Sequence, residues 1–236
     1  ASGEWVQFLD ADDFLKPGKI AGQLKEARES IDQTDVLYAP VLVEQWKNEE
    51  VVSTEPTRIR EDFDIYERWI AWQLPQTGGA LWRRQALLDL GGWKPDQPCC
   101  QEHELYARAL RAGLSFRMIS QPGAVYRIWS EETLCRRDPV QVVHVKTALI
   151  DEMCAWMTAQ GLWQEKHRRL AGQVCFEMAR TIAKHSVGAA AEYRKKRKES
   201  GLWELAGPAA PTGYRMATRV LGFRLAERLA RLMRHS

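Results

Sequence analysis

The segment Glu4-Trp5-Val6-Gln7-Phe8-Leu9 has strand character and ends abruptly in Asp10, Asp12 and Asp13. Aromatic and β-branched residues favour a pleated backbone, so the acidic group falls at the C-terminal end of a strand. In open α/β sheets that edge is where ligands bind. Carboxylates this close repel one another unless a positive charge sits among them, and a hard divalent cation with oxygen ligands is the usual solution. The plainer alternative is an acidic turn in which Asp13 caps the helix that follows Pro17. A calcium loop of the EF-hand type is excluded, because Leu15 stands where that loop needs glycine.

The chain has 236 residues, enough for one large domain or a domain with an appendage. It contains no run of about 18 apolar residues that would cross a membrane. It has neither a signal-peptide pattern nor an initiator Met, and it begins almost inside a strand, so a fragment lacking its N-terminal part is expected. The net charge is +3, yet residues 214–236 hold six Arg against one Glu. The remainder is close to neutral, which argues against a general nucleic-acid binder. Five cysteines, with no C-x-x-C pair, point to free thiols in a reducing compartment and hence to the cytoplasm. Cys99, Cys100 and His103 lack a second ligand pair at zinc spacing.

Periodicity divides the chain into an α/β part and an all-helical part. Helices are expected over 17–30, 63–72, 83–90 and 102–112, with strands over 35–38, 41–46, 80–82, 116–119 and 124–128. Gly91-Gly92 and Gly113 end two of the helices. Beyond Pro139, helices are expected over 140–160, 163–185 and 189–200. Residues 206–213 read as a Gly/Pro/Ala linker and 214–235 as a last helix.

A second informative segment is Gln101-Glu102-His103-Glu104-Leu105-Tyr106-Ala107-Arg108. On a helix, Glu102 shares a face with Leu105, Tyr106 and Ala109. A carboxylate on that apolar side needs a task or a partner, and general-base work on a hydroxyl suits it. Glu104 precedes Arg108 by one turn and reads as a solvated ion pair. His103 reads as a surface residue or a neighbour within the site.

With these segments in view, the chain resembles the family-2 inverting glycosyltransferases of the GT-A fold. Residues 1–13 look like the strand that carries the D-x-D motif. Thr77-Gly78-Gly79-Ala80-Leu81-Trp82-Arg83-Arg84 and Leu90-Gly91-Gly92-Trp93 are similar to the acceptor-side strand and helix. Gln101-Glu102-His103-Glu104-Leu105 stands where the family has an acidic pair, and Tyr126-Arg127 matches its closing Tyr-Arg. The resemblance implies a partial, Rossmann-like GT-A domain over 1–135; periodicity and composition give a helical region over 136–205 and a linker with a basic amphipathic helix over 206–236. It implies that Asp10, Asp12 and Asp13 bind the donor, a UDP-, GDP- or dTDP-sugar. Asp10 and Asp12 would hold Mn²⁺ or Mg²⁺, and Glu102 would be the base. Gln76, Thr77, Gly78, Trp82 and His103 would line the site of a glycan or lipid-linked acceptor. Two departures stand out: Glu102 replaces the commoner Asp, and Trp129 occupies a position often held by a metal-associated His.

Two other readings compete. A haloacid-dehalogenase-like phosphohydrolase would use Asp10 as nucleophile and Asp12 as acid, but Phe14 and the lack of a late acidic pair oppose it. A non-catalytic transferase remnant would bind a partner or membrane through its helical tail. In that tail Leu221, Leu225, Leu229 and Leu232 form one stripe beside Arg224, Arg228 and Arg231. The stripe suits either an anionic membrane surface, at the inner face of the membrane, or docking on the rest of the chain.

Overall fold

A computed structural model describes residues 1–28, 34–129 and 138–235, with the side chains of 233–235 left aside. Cys135, the expected boundary at 135/136 and the last residues of the helix expected over 17–30 lie outside the described residues. The chain divides into two compact units, Ala1–Arg137 and Asp138–Ser236. An α/β part followed by a helical part is therefore borne out.

The first unit holds two four-stranded sheets. One consists of β1 (Trp5–Gln7), β6 (Ala80–Arg83), β3 (Val36–Tyr38) and β7 (Phe116–Met118), in that spatial order. The β3/β7 pair is parallel and the other two pairs are antiparallel. Side chains alternate across this sheet. Leu37 and Leu81 face one side, where Ala39, Ile119, Trp5 and, from α1 (Lys19–Arg28), Leu24 and Ala27 pack with them. Tyr38, Trp82 and Phe116 face the other side and meet Tyr106 of α4 (Gln101–Arg111). The Trp82 and Tyr106 rings stack at 5.5 Å between centroids.

The second sheet runs β2 (Phe14–Leu15), β8 (Ala124–Ile128), β4 (Val41–Lys47) and β5 (Glu50–Pro56). The β4–β5 hairpin turns through Asn48 and Glu49, both at positive φ, as tight hairpin turns require. A capping box between Asp64 and Glu67 starts the short helix α2 (Ile65–Ile70). The remaining short helix, α3 (Arg84–Asp89), follows β6 directly. Strand β2 has two residues and no alternation of its own, so no sequence signal announced it. Its pairing with β8 defines it.

The second unit is helical: α5 (Pro139–Ala159), α6 (Glu165–His185), α7 (Val187–Glu199) and α8 (Thr212–His235). Asp138 caps α5, with Pro139 in the first turn where its missing N–H costs nothing. The stretch expected as a linker is packed down. Ala210 is buried, and the Arg180 guanidinium donates to the Ala209 carbonyl at 2.6 Å. Just before this stretch the backbone passes close over Gly172, where a Cβ would lie 2.9 Å from the Glu204 nitrogen. The last helix is not continuous as expected. Gly222, at φ 76° and ψ 164°, breaks it into two arms.

Candidate functional site

The three aspartates form one turn that crosses from the first sheet to the second. The Asp13 N–H donates to the Asp10 carbonyl at 3.1 Å, closing the turn between β1 and β2. Strand β8 anchors its far side. The Arg127 N–H donates to Asp13 Oδ1 at 2.9 Å, and the Arg127 side chain donates to the Asp12 carbonyl. Asp13 is therefore buried and committed to holding the turn. It does not cap α1. Burial above all, with the charges of Asp12 and Asp10, pushes its carboxyl up to about 6, although the bond from Arg127 opposes the shift. Asp10 and Asp12 are left exposed.

Asp10 faces a cavity of about 390 Å³ lined by Phe8, Leu9, Asp10, Thr77, Trp93, Gln101 and Glu102. Phe8 and Trp93 meet edge to face at 5.0 Å and form its apolar wall. Glu102, in the first turn of α4, is half-buried at the cavity. Thr77 sits between the two acids. Its hydroxyl donates to Glu102 Oε1 at 2.7 Å and lies close enough to Asp10 to hold down its pKa. Burial raises the Asp10 pKa first, the nearby Glu102 and Asp12 charges add to the rise, and Thr77 offsets part of it.

The loop that carries Thr77 is tightly fixed. A single 3-10 turn spans Thr77–Gly79, and a Cβ on Gly79 would lie 2.4 Å from Pro75 Cβ and 2.8 Å from Val41 Cγ1. Only glycine fits there. The Gln7 amide of β1 donates to the Gly78 carbonyl at 3.2 Å, and the Lys19 ammonium donates in turn to Gln7. Burial depresses the Lys19 pKa to about 7.

Several expected site residues lie elsewhere. Trp82 is buried in the sheet core against Tyr106, because β6 is a central strand, and it does not line the cavity. His103 is buried between the Trp69 and Trp72 rings, at 4.4 and 3.3 Å between centroids, so it is neither a surface residue nor a cavity residue. Gly78 is buried as backbone support, and Gln76 is half-buried just outside the lining. Glu104 is 2% exposed, not solvated. Arg108 binds both its oxygens, Lys94 lies 2.8 Å away, and Arg108 also donates to the Leu90 and Gly92 carbonyls. Burial pushes the Glu104 carboxyl up, but these two cations outweigh it and hold it below the usual range. Sequence reasoning missed the cavity roles of Phe8, Leu9 and Gln101, and the anchoring role of Arg127.

Asp10 and Asp12 bring hard oxygen donors from one turn, and Asp13 is already engaged. Among the described residues, no group of three His, Cys, Asp or Glu side chains is placed to hold a metal ion. Magnesium is commonly bound through one or two carboxylates plus substrate phosphates, and the Asp10/Asp12 pair fits that pattern. Burial raises Asp10 most, and a cation would relieve the smaller part that the Glu102 and Asp12 charges add.

No protein-family model matches the sequence. Over 90 residues the chain is 33% identical to an uncharacterized glycosyltransferase of Nostoc sp. strain PCC 7120. That similarity bears out the resemblance to glycosyltransferases. The match covers 37% of this chain and only 28% of the Nostoc glycosyltransferase. Among solved structures, S. aureus TarS 1–349 in complex with UDP-GlcNAc aligns with 98% of this chain and 69% of its own, at 13% identity and a TM-score of 0.48.

Proposed function

We propose that this chain belongs to a metal-dependent, inverting glycosyltransferase of the family-2, GT-A type, moving a sugar from a nucleotide-sugar donor to an acceptor hydroxyl. The observation that carries the reading is the meeting of Asp10 and Glu102 across one cavity, with Thr77 between them. The order of the motifs and the Nostoc relative support it.

Asp10 and Asp12 would hold Mn²⁺ or Mg²⁺ against the donor's diphosphate. The cation would supply positive charge to neutralise the departing nucleoside diphosphate. Glu102 accepts the proton of the acceptor hydroxyl as its oxygen attacks the anomeric carbon. The bond to the diphosphate oxygen breaks on the opposite side, so the configuration inverts. Thr77 fixes the Glu102 carboxylate through one oxygen and leaves the other for the proton. Phe8 and Trp93 keep that wall of the cavity apolar and offer ring faces to a sugar. The cysteines Cys99, Cys100, Cys154 and Cys175 are thiols, which fits a reducing, cytoplasmic setting.

The test is a donor screen with UDP-, GDP- and dTDP-sugars and Mn²⁺, on this chain and on any longer polypeptide that carries it. The expected result is metal-dependent nucleoside diphosphate binding and sugar transfer that fails in Glu102→Gln. Absence of both binding and transfer would favour the non-catalytic remnant. Phosphate release from a phosphomonoester would favour the hydrolase, although among the described residues no three His, Cys, Asp or Glu side chains are placed to hold the metal that chemistry needs.

A further inference from the structure

The last helix carries a surface that sugar transfer does not use. In its second arm, Phe223, Ala226 and Glu227 turn inward and are buried. Helical phase then sends Leu225, Leu229 and Leu232 to the opposite side, where they are 49%, 46% and 69% exposed. Met216, Val220 and Leu221 of the first arm and the break are exposed as well. Together these six account for nearly half of the large apolar side chains exposed among the described residues. Apolar clusters of this kind mark interaction surfaces.

Charge separates the possible occupants. The exposed Arg224, Arg228 and Arg231 run along one flank of the leucine stripe, and Arg219 is exposed in the first arm. The helix's one acid, Glu227, is fully buried, bonded to Arg180 at 3.0 Å and to the Tyr214 hydroxyl at 2.5 Å. The outward face therefore carries arginines and leucines with no acid of its own. Arg224 lies 4.0 Å from Glu192 of α7, with both side chains exposed. One turn further along α7, Lys195 and Lys196 are exposed too. A second copy of the same face would bring arginine against arginine. No helix among the described residues is long and apolar enough to cross a bilayer.

We infer that α8 is an in-plane anchor for an anionic lipid surface, with Leu225, Leu229 and Leu232 inserted among acyl chains and Arg224, Arg228 and Arg231 paired to headgroup phosphates. Basic amphipathic helices bind in this way, and long arginine stems let the charge stay at the headgroup level. The inference is independent of the sugar-transfer reading.

Sedimentation of the full chain with vesicles tests it. Binding is expected with phosphatidylglycerol/phosphatidylcholine vesicles, near absence with phosphatidylcholine alone, and release at high salt. Each arginine charge removed should lower partition about fivefold, so Arg224→Gln with Arg228→Gln should lose about 25-fold. Leu225→Gln with Leu229→Gln should abolish binding while circular dichroism and thermal unfolding stay unchanged. No sedimentation with the anionic vesicles overturns the inference. So does binding that survives both double variants, or a leucine-dependent dimer in light scattering without lipid binding.

Discussion

The Thr77 hydroxyl donates to Glu102 Oε1 at 2.7 Å while also meeting Asp10. A hydroxyl has one proton to give, so it cannot satisfy two ionised carboxylates at once. Replacing it with Thr77→Val keeps the shape and removes the bridge. Transfer should fall about ten- to a hundredfold, measured as initial rates at saturating donor, while the fold survives by circular dichroism.

Glu102→Gln removes the proposed proton acceptor and keeps the Thr77 hydrogen bond. Transfer is expected to drop about 10²- to 10⁴-fold, with nucleoside diphosphate affinity in titration calorimetry unchanged. A mutant that transfers at the parent rate removes Glu102 from the role of base.

Glu104→Gln separates the two glutamates of α4. Glu104 is buried and held by Arg108 and Lys94, so neutralising it strands cationic partners. A loss of about 3–5 kcal/mol in denaturant unfolding is expected. The stability defect should be far larger than that of Glu102→Gln, which sits at an open cavity.

Gly79→Ala drives a Cβ into Pro75 and Val41. The cost should be about 1–3 kcal/mol, read as a lower Tm. The displaced loop also moves Thr77, so transfer should fall further than the stability loss alone accounts for.

Lys19 predicts a pH dependence. Burial lowers its pKa from 10.5 to about 7. Between those two values the unfolded chain binds a proton that the folded chain does not, so stability rises with pH across that window. Below about pH 7 both states are protonated and the full burial penalty remains. Lys19→Met should flatten this rise in urea unfolding measured from pH 7 to 10, and should be the more stable protein at pH 7.

Much of the first unit was legible because its signals are local. The short apolar runs Val36–Tyr38 and Ala80–Trp82, and the glycines after Leu90 and Ala112, fix elements without reference to distant residues. Helical phase set Glu102 on the apolar side and Glu104 in solvent, yet Glu104 is the more deeply buried of the two. What could not be read was set by partners remote in sequence. Spacing suggested the Arg108 pair of Glu104, but Lys94 and the burial arise from a loop before α4. His103 became a core residue because Trp69 and Trp72 happen to flank it. Asp13 looked like a helix cap until Arg127, 114 positions away, claimed it. The break at Gly222 is local in origin, yet one glycine within an apolar periodic run is tolerated too often to announce a bend.

The acidic turn belongs to neither sheet alone. Asp10 leaves the first, while Asp13 is moored to β8 in the second. A ligand that grasps Asp10 and Asp12 together would act as a clasp between two independently hydrogen-bonded layers. Loading the site and stiffening the whole α/β unit then become a single event.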